Sequence, residues 1–171
     1  MAQQLPQPGR RVSLRRVRDD VEIGDVVGFV LTAGEAGLRI RDRRGEVHEL
    51  AWGRVMAWRA VGVARGRDPI STPLAELDGL AAAAGVSGRV LVARLSDLLD
   101  HLAAPSVGEL GAPPPQPAVV DGEWVTTGAT EDLIPLAWWA THQDARSMQV
   151  RTTDDAGAAR LLATGFTERI D

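Results

Sequence analysis

The sequence contains no cysteine, no lysine and no tyrosine, and each absence has a consequence. Without cysteine the chain has no disulfide framework, no thiolate metal site and no cysteine nucleophile, so a reducing cytoplasm is the expected compartment. All 19 basic residues are arginine, which we interpret as a compositional bias of the genome. The missing tyrosine excludes any mechanism that needs a tyrosine general acid.

Long hydrophobic runs are also absent, since no apolar stretch approaches the twenty residues that a membrane-spanning helix requires. The polar N-terminal segment MAQQLPQPGRR is unlike a signal peptide. Hydrophobic and charged contents of 44% and 25% are typical of soluble globular proteins, and 171 residues suffice for one ordinary domain or two small ones. The sequence therefore predicts a cytoplasmic protein without a membrane segment.

Charge is distributed unevenly between the two parts of the chain. Residues 1–68 contain 13 arginines and 9 acidic residues, a net charge of +4, whereas residues 69–171 contain 6 and 14, a net charge of −8. A basic first part is typical of a nucleic-acid-binding domain. Two domains that attract one another would give the same asymmetry, because the arginines alternate with acids such as Asp25, Asp42 and Glu46. Nucleic acid is therefore a possible partner that the sequence does not favour.

Residues 10–65 carry five short segments of alternating hydrophobicity, separated by turn signals. In Asp42-Arg43-Arg44-Gly45 the glycine stands where a hairpin needs a positive φ, and Gly34 and Gly37 bracket the preceding turn. Trp52-Gly53-Arg54 predicts a tight turn before the last strand. Because five short strands can satisfy their edges by closing on themselves, we expect an SH3-like β-barrel over these residues.

The flanking and middle segments have less regular patterns. Residues 1–9 are expected to be a flexible lead-in, and residues 66–117 to form a helix, a strand, a helix and a proline-rich linker. The predicted signals are a hydroxyl cap at Ser71-Thr72-Pro73, a helix stop at Gly85, a strand over 89–95, a cap at Ser96, and prolines at 113, 114, 115 and 117. The prolines favour a stiff extended spacer over an SH3 or WW ligand.

Residues 118–171 predict the order β-β-α-β-α-β. The predicted features are a strand-turn-strand over Ala118–Val125 with its turn at Asp121-Gly122, a helix opened by Thr130-Glu131-Asp132, a strand over Ser147–Thr152, a helix capped by Asp154, its stop at Gly165-Phe166, and a last strand over 167–170. Pro135 is compatible with the first of these helices only if it lies in the first turn.

The segment LAWWATHQDARSMQVRTTDDAGAARLLATGFTER resembles the closing part of GNAT-family N-acetyltransferases, which end with a helix, a strand, a capped helix and a Gly-Phe stop before a final strand. Ala145–Val150 matches the strand, Asp154 lies where the family usually has asparagine, and Gly165-Phe166 matches its Gly-Phe. The segment before it, AVVDGEWVTTGA, resembles the family's strand-turn-strand entry. The barrel is similar to the SH3-like domain that precedes certain actinobacterial GNAT proteins of the histone-acetyltransferase-like group.

This resemblance implies an α+β protein, with an N-terminal SH3-like barrel followed over residues 118–171 by a partial α/β domain like the C-terminal part of the GNAT fold. It also implies acetyl-CoA as the cofactor. The family's mode of binding would place acetyl-CoA near Trp124, Val125 and Asp154. No catalytic residue is assigned.

Two departures from the family pattern predict a degenerate member. GNAT enzymes bind the pyrophosphate of acetyl-CoA on backbone N–H groups of a glycine-rich, arginine-bearing loop at a helix N-terminus. The matching segment Thr127–Asp132 has one glycine, no arginine and two carboxylates that repel phosphate. A tyrosine general acid is missing as well, so conventional acetyl transfer is not expected.

The alternative function is a non-catalytic binding module, in which the arginine-rich barrel contacts nucleic acid or a protein partner, or a second copy of the chain. Trp52 and Trp58 would then be stacking platforms, although tryptophans in small barrels more often fill the core. His48, His101 and His142 have no partner at metal-ligand spacing, so the sequence predicts no metal site.

Overall fold

The computed structural model describes residues 5–18, 22–105 and 112–170, with no side-chain description for Arg18 and Glu22. The remaining parts of the expected lead-in, barrel and proline-rich linker lie outside the described residues. Within the described part, residues 5–18, 22–62 and 104–105 form one compact unit, and residues 63–103 and 112–170 form a second. The two units contain two sheets and four α-helices, which confirms the α+β class.

The N-terminal unit is a five-stranded antiparallel sheet with the order β4-β3-β2-β1-β5. Its strands are β1 (Arg11–Arg18), β2 (Glu22–Gly34), β3 (Gly37–Asp42), β4 (Val47–Ala51) and β5 (Val55–Ala60), and a single 3-10 turn over Trp52–Arg54 separates the last two.

One face of this sheet forms the core of the unit. The residues that point inward alternate along the strands, as a sheet with one buried face requires, and all seven are less than a tenth exposed: Val12, Leu14, Val26, Val30, Leu38, Ile40 and Leu50. Trp52 and Trp58 are half-buried against this cluster, and the indole N–H of Trp52 donates to the carbonyl of Gly34 at 2.7 Å. Both tryptophans therefore belong to the core and its rim.

The strand β2 lies very close to its neighbour β3 at Gly28, which pairs with Asp42. A Cβ at this position would lie 2.1 Å from the carbonyl oxygen of Arg41, so only glycine fits. The ladder is irregular two residues later, between Val30 and Thr32, where β2 bends. Gly28 thus permits the approach of the two strands.

The predicted turns are confirmed, but the predicted closure of the barrel is wrong for the described residues. Gly45 has a φ of 81°, and Trp52–Arg54 forms the tight turn. The strands β4 and β5 lie at opposite ends of the sheet order, and no ladder joins them in the described chain. The 3-10 turn directs β5 to pair with β1 instead, which leaves two short edges open.

The C-terminal unit is a mixed five-stranded sheet with the order β10-β6-β9-β8-β7, in which only β8 and β9 are parallel. Its elements are a 3-10 turn (Pro69–Ser71), α1 (Leu74–Ala84), β6 (Arg89–Arg94), α2 (Leu95–Leu99), β7 (Ala118–Asp121), β8 (Trp124–Thr127), α3 (Leu133–His142), β9 (Ser147–Thr152), α4 (Asp155–Ala163) and β10 (Thr167–Arg169).

Both faces of this sheet are buried. On one face, Leu77 of α1 packs with Val90, Val92 and Trp124. The alternate strand residues face the other side and are fully buried as well: Leu91, Val125, Met148 and Val150. All six residues of β9 are buried, which makes it the central strand of the unit.

The element order of the C-terminal unit is confirmed, whereas three predicted helix caps are wrong. The helix α1 begins after Pro73 without a side-chain cap, and Ser96 lies inside a helix of only five residues. The helix α3 begins after Asp132, whose backbone is left-handed and whose side chain does not cap. Asp154 does cap α4, and Gly85 ends α1 with a φ of 68°.

None of the helices in the described part of the chain has the length and apolar character needed to cross a membrane.

Candidate functional site

Trp124 and Val125, two of the residues that the GNAT resemblance assigns to acetyl-CoA, are interior residues of β8. Trp124 is 4% exposed and Val125 is 0% exposed. Each residue of β8 pairs with β9 on one side and with β7 on the other, so the two parallel strands do not separate along β8. Val125 is therefore an interior residue of a strand that is flanked on both sides.

Asp154, the third assigned residue, serves as the N-terminal cap of α4. One of its carboxylate oxygens, Oδ1, accepts from the backbone N–H of Ala156 at 3.0 Å. The other, Oδ2, lies 3.7 Å from the guanidinium of Arg160. Both oxygens therefore have partners within the same helix.

The structure does not bring the three assigned residues together. Trp124 is paired with Ser147 at the start of β9, and Asp154 follows the end of the same strand. Seven extended residues span about 23 Å at roughly 3.3 Å per residue. Trp124 thus lies near the start of the parallel pair β8–β9, and Asp154 lies beyond its other end.

Open α/β sheets usually bind ligands beyond the carboxyl ends of their parallel strands. Beyond the carboxyl ends of β8 and β9, residues of this chain pack against one another. A Cβ on Gly157 would lie 2.8 Å from the side chain of Thr130 and 2.4 Å from Asp154, so α4 packs directly on the loop after β8. Arg160 of α4 pairs with Glu131 of that loop at 3.1 Å. These contacts tie the start of α4 to the loop after β8.

The backbone groups around the start of α3 are also engaged. The Thr127 hydroxyl accepts from the N–H of Ala129 at 3.1 Å and donates to the carbonyl of Pro117 at 2.7 Å. The Gln116 amide donates to the carbonyls of Glu131 and Asp132, both at 2.8 Å. This segment is therefore tied to the end of the proline-rich linker, and its two carboxylates disfavour an anion.

Every arginine in the described C-terminal unit has a partner within the unit. Seven of them have a carboxylate within 4.0 Å, and the eighth, Arg169, donates to the carbonyls of Ile70 and Thr72. The seven ion-paired arginines are Arg65, Arg67, Arg89, Arg94, Arg146, Arg151 and Arg160.

The N-terminal unit, in contrast, contains both paired and unpaired arginines. Arg15 and Arg39 pair with Asp25 and Glu49. Five exposed arginines form no ion pair or side-chain hydrogen bond with any residue that the structure describes: Arg10, Arg43, Arg44, Arg54 and Arg59. Unpaired positive charge is thus concentrated in this unit, which the sequence indicated only as a difference in net charge.

Two of these arginines flank the open edge of β5. Arg54 ends the 3-10 turn before the strand, and Arg59 lies near its other end, opposite Ser13 of β1. Between them Met56 is 54% exposed and lies at a bulge, where the register with β1 shifts. Outside its ladder with β1, this strand pairs with no other strand in the described residues.

The β3–β4 hairpin assembles a group of polar side chains that sequence spacing did not reveal. Atoms of Asp42, Glu46 and His48 lie within 4.8 Å of one another. His48 Nε2 is 3.1 Å from Asp42 Oδ2, and His48 Nδ1 is 3.8 Å from Glu46 Oε1. Only the register of the hairpin, which puts His48 near the residue six positions before it, shows this arrangement.

Comparison of the chain with protein-family models, with curated proteins and with solved structures found no match in any of the three.

Proposed function

We propose that this chain is a non-catalytic binding protein whose N-terminal unit captures an extended acidic segment of a protein partner along the open edge of β5. The observation that carries the proposal is the concentration of unpaired arginines in this unit, while every arginine of the described C-terminal unit has a partner. A flanking pair at Arg54 and Arg59 attracts carboxylates, and the edge of β5 offers main-chain hydrogen bonds.

Three features support an open SH3-like arrangement for the N-terminal unit: the strand order, the long bent β2 and the 3-10 turn before the last strand. For the C-terminal unit, the order α3, β9, α4, Gly165-Phe166 and β10 supports a GNAT-like fold. Because β8 is fully paired and Thr130, Asp154 and Arg160 fill the edge beyond it, we propose that this unit binds no acetyl-CoA and transfers no acetyl group.

An acidic peptide fits the N-terminal unit better than a nucleic acid does. Single-stranded nucleic acids stack on exposed aromatic rings, whereas Trp52 and Trp58 pack against the core. Duplex binding needs a continuous basic surface, and carboxylates such as Asp25 and Glu49 interrupt the arginines here.

The test is fluorescence anisotropy with a labelled peptide of alternating glutamate and threonine, and with a control peptide that has glutamine in place of glutamate. We expect the acidic peptide to bind and the control peptide not to bind. Replacing both flanking arginines, Arg54→Gln with Arg59→Gln, should weaken binding about tenfold, because two exposed charge contacts contribute up to about 1 kcal/mol each.

The matched control is the pair Arg65→Gln with Arg160→Gln, which removes the same charge from arginines that already have acidic partners. This variant should bind as the wild type does. Equal losses in the two variants, or no binding by the wild type, would contradict the proposal. If an oligonucleotide binds more tightly than the peptide and its binding needs the same two arginines, the partner is a nucleic acid and not an acidic protein segment.

A further inference from the structure

The β3–β4 hairpin carries an imidazole and two carboxylates in a fixed arrangement. The turn is closed by hydrogen bonds between the backbones of Asp42 and Glu46 at 3.0 Å, and of Gly45 and Asp42 at 3.0 Å. The side chains of Asp42 and His48 are 17% and 11% exposed, and that of Glu46 is 65% exposed. One side of the group is therefore held by the protein and the other is open to solvent.

Both oxygens of the Asp42 carboxylate have partners within the hairpin. Oδ1 accepts from the backbone N–H groups of Arg44 at 2.8 Å and Glu46 at 3.0 Å. Oδ2 contacts His48 Nε2 at 3.1 Å. The Asp42 carboxylate is thus held in place by the turn and directed at the imidazole ring of His48.

An ionised carboxylate only accepts hydrogen bonds, so Asp42 places a proton on Nε2 of the imidazole. In the neutral ring the other nitrogen, Nδ1, then carries a lone pair. This nitrogen is on the side of Glu46, 3.8 Å from its Oε1. A carboxylate that orients a histidine in this way is the usual outer partner of a metal-bound imidazole.

We propose that His48 Nδ1 and the Glu46 carboxylate bind a divalent transition-metal ion of the zinc class, with Asp42 as the residue that orients His48. Zinc bonds to nitrogen and oxygen are about 2.0–2.2 Å long, so two ligands of a tetrahedral ion are about 3.4 Å apart. The observed 3.8 Å needs only a small closing movement of the exposed Glu46 side chain. Imidazole with carboxylate selects zinc and its neighbours over calcium or magnesium.

Two neighbouring charges limit the affinity of this site. Arg43 and Arg44 lie in the same turn and are exposed, so their guanidinium groups repel a cation to an extent that salt screens. Water fills the coordination positions that the protein does not supply. The site is therefore an open, weak one rather than a closed structural one.

The test is a titration of the full chain, without a polyhistidine tag, with zinc chloride, followed by calorimetry and by the imidazole NMR signals of the three histidines. We expect saturable binding of one equivalent and a shift of the His48 signals, with smaller changes at His101 and His142. Absence of saturable binding, or shifts at His48 no larger than those at His101, would overturn the proposal.

Single substitutions distinguish the proposed zinc ligands from nearby residues that do not bind the ion. His48→Gln and Glu46→Gln should each abolish the saturable binding, and Asp42→Asn should weaken it about 10- to 100-fold because the ring loses its orienting partner. His101→Gln and Glu49→Gln, an exposed histidine and an exposed carboxylate outside the group, should bind zinc as the wild type does.

Circular dichroism shows whether each variant is folded. If His48→Gln disturbs the hairpin, Glu46→Gln decides the question, since its side chain is largely in solvent. Wild-type affinity in Glu46→Gln would show that the ion lies elsewhere.

Discussion

Single residues determine how closely β2 and β3 pair in the N-terminal sheet, and Gly28 is the clearest case. We expect Gly28→Ala to destabilise the protein by about 1–3 kcal/mol, because the new methyl group meets a backbone carbonyl that cannot move aside. The measurement is the free energy of unfolding from urea denaturation.

Gly24 of the same strand is the matched control. A Cβ there meets no atom within 4 Å, and its φ is not in the left-handed region. Gly24→Ala should therefore leave the stability unchanged or raise it by up to about 1 kcal/mol, as the unfolded chain loses freedom. Equal effects of the two substitutions would show that the close pairing of β2 and β3 does not require Gly28.

Residues with a local signal could be predicted from the sequence, and residues whose role depends on strand register could not. Asp154 precedes a helical pattern and Gly45 follows a turn, so neighbouring residues define both roles. His48 and Asp42 meet only because β3 and β4 pair in one particular register. Gln149, fully buried with its amide donating to the carbonyl of Leu77, is placed by the packing of α1 on the sheet.

Among the elements, the strands and helices of both units were predictable, whereas three of the helix caps and the sheet edges were not. Periodicity located β9 and α4, since their patterns are clear over six residues or more. The cap expected at Ser96 failed because the helix begins directly after β6 and buries this serine instead. Barrel closure failed because pairing between β4 and β5 depends on distant contacts rather than on the pattern of either strand.

Edge strand β10 is held to β6 by an ion pair that gives a testable pH dependence. Nε and Nη2 of Arg89 donate to the two carboxylate oxygens of Glu168, both at 2.7 Å. These hydrogen bonds hold the pKa of the Glu168 carboxyl below its ordinary value, although burial acts in the opposite direction. The pair therefore stabilises the fold above the unfolded pKa of glutamate, about 4.3, and this contribution disappears as pH falls through the lowered folded pKa.

We expect the wild type to have a higher melting temperature than Glu168→Gln near neutral pH, and the difference to shrink as pH falls below about 4.3. Thermal denaturation of both proteins over a series of pH values measures this. The control is Glu131→Gln, which removes an exposed carboxylate with a single arginine contact and should change little at any pH. A difference for Glu168→Gln that persists unchanged into acid would contradict the role of the ion pair.

In the molecule as a whole, the two units differ in how many of their arginines have acidic partners, and net charge predicted this difference only in part. The sequence showed a basic first part and an acidic second part. The structure adds that arginines of the C-terminal unit, such as Arg89 and Arg151, are paired with acids, whereas Arg54 and Arg59 of the N-terminal unit are not. Pairing depends on which side chains the fold brings within 4 Å, and composition carries no such information.

The acetyl-CoA site that the GNAT resemblance implies stays a prediction. Trp124, Val125 and Asp154 were assigned from the resemblance to GNAT proteins, but two of them are buried in β8 and the third caps α4. A resemblance in the order of elements does not reveal whether the space between them is open. Here Gly157 allows α4 to pack against Thr130.

Peptide capture by the N-terminal unit, without cofactor binding by the C-terminal unit, is tested by two NMR titrations of the isotopically labelled full chain, one with the acidic peptide and one with acetyl-CoA. We expect the peptide to shift the amide signals of residues 54–60 and acetyl-CoA to leave the spectrum unchanged. Shifts caused by acetyl-CoA at Val125, at the start of α3 or at Asp154 would overturn the proposed function, as would peptide-induced shifts confined to the C-terminal unit.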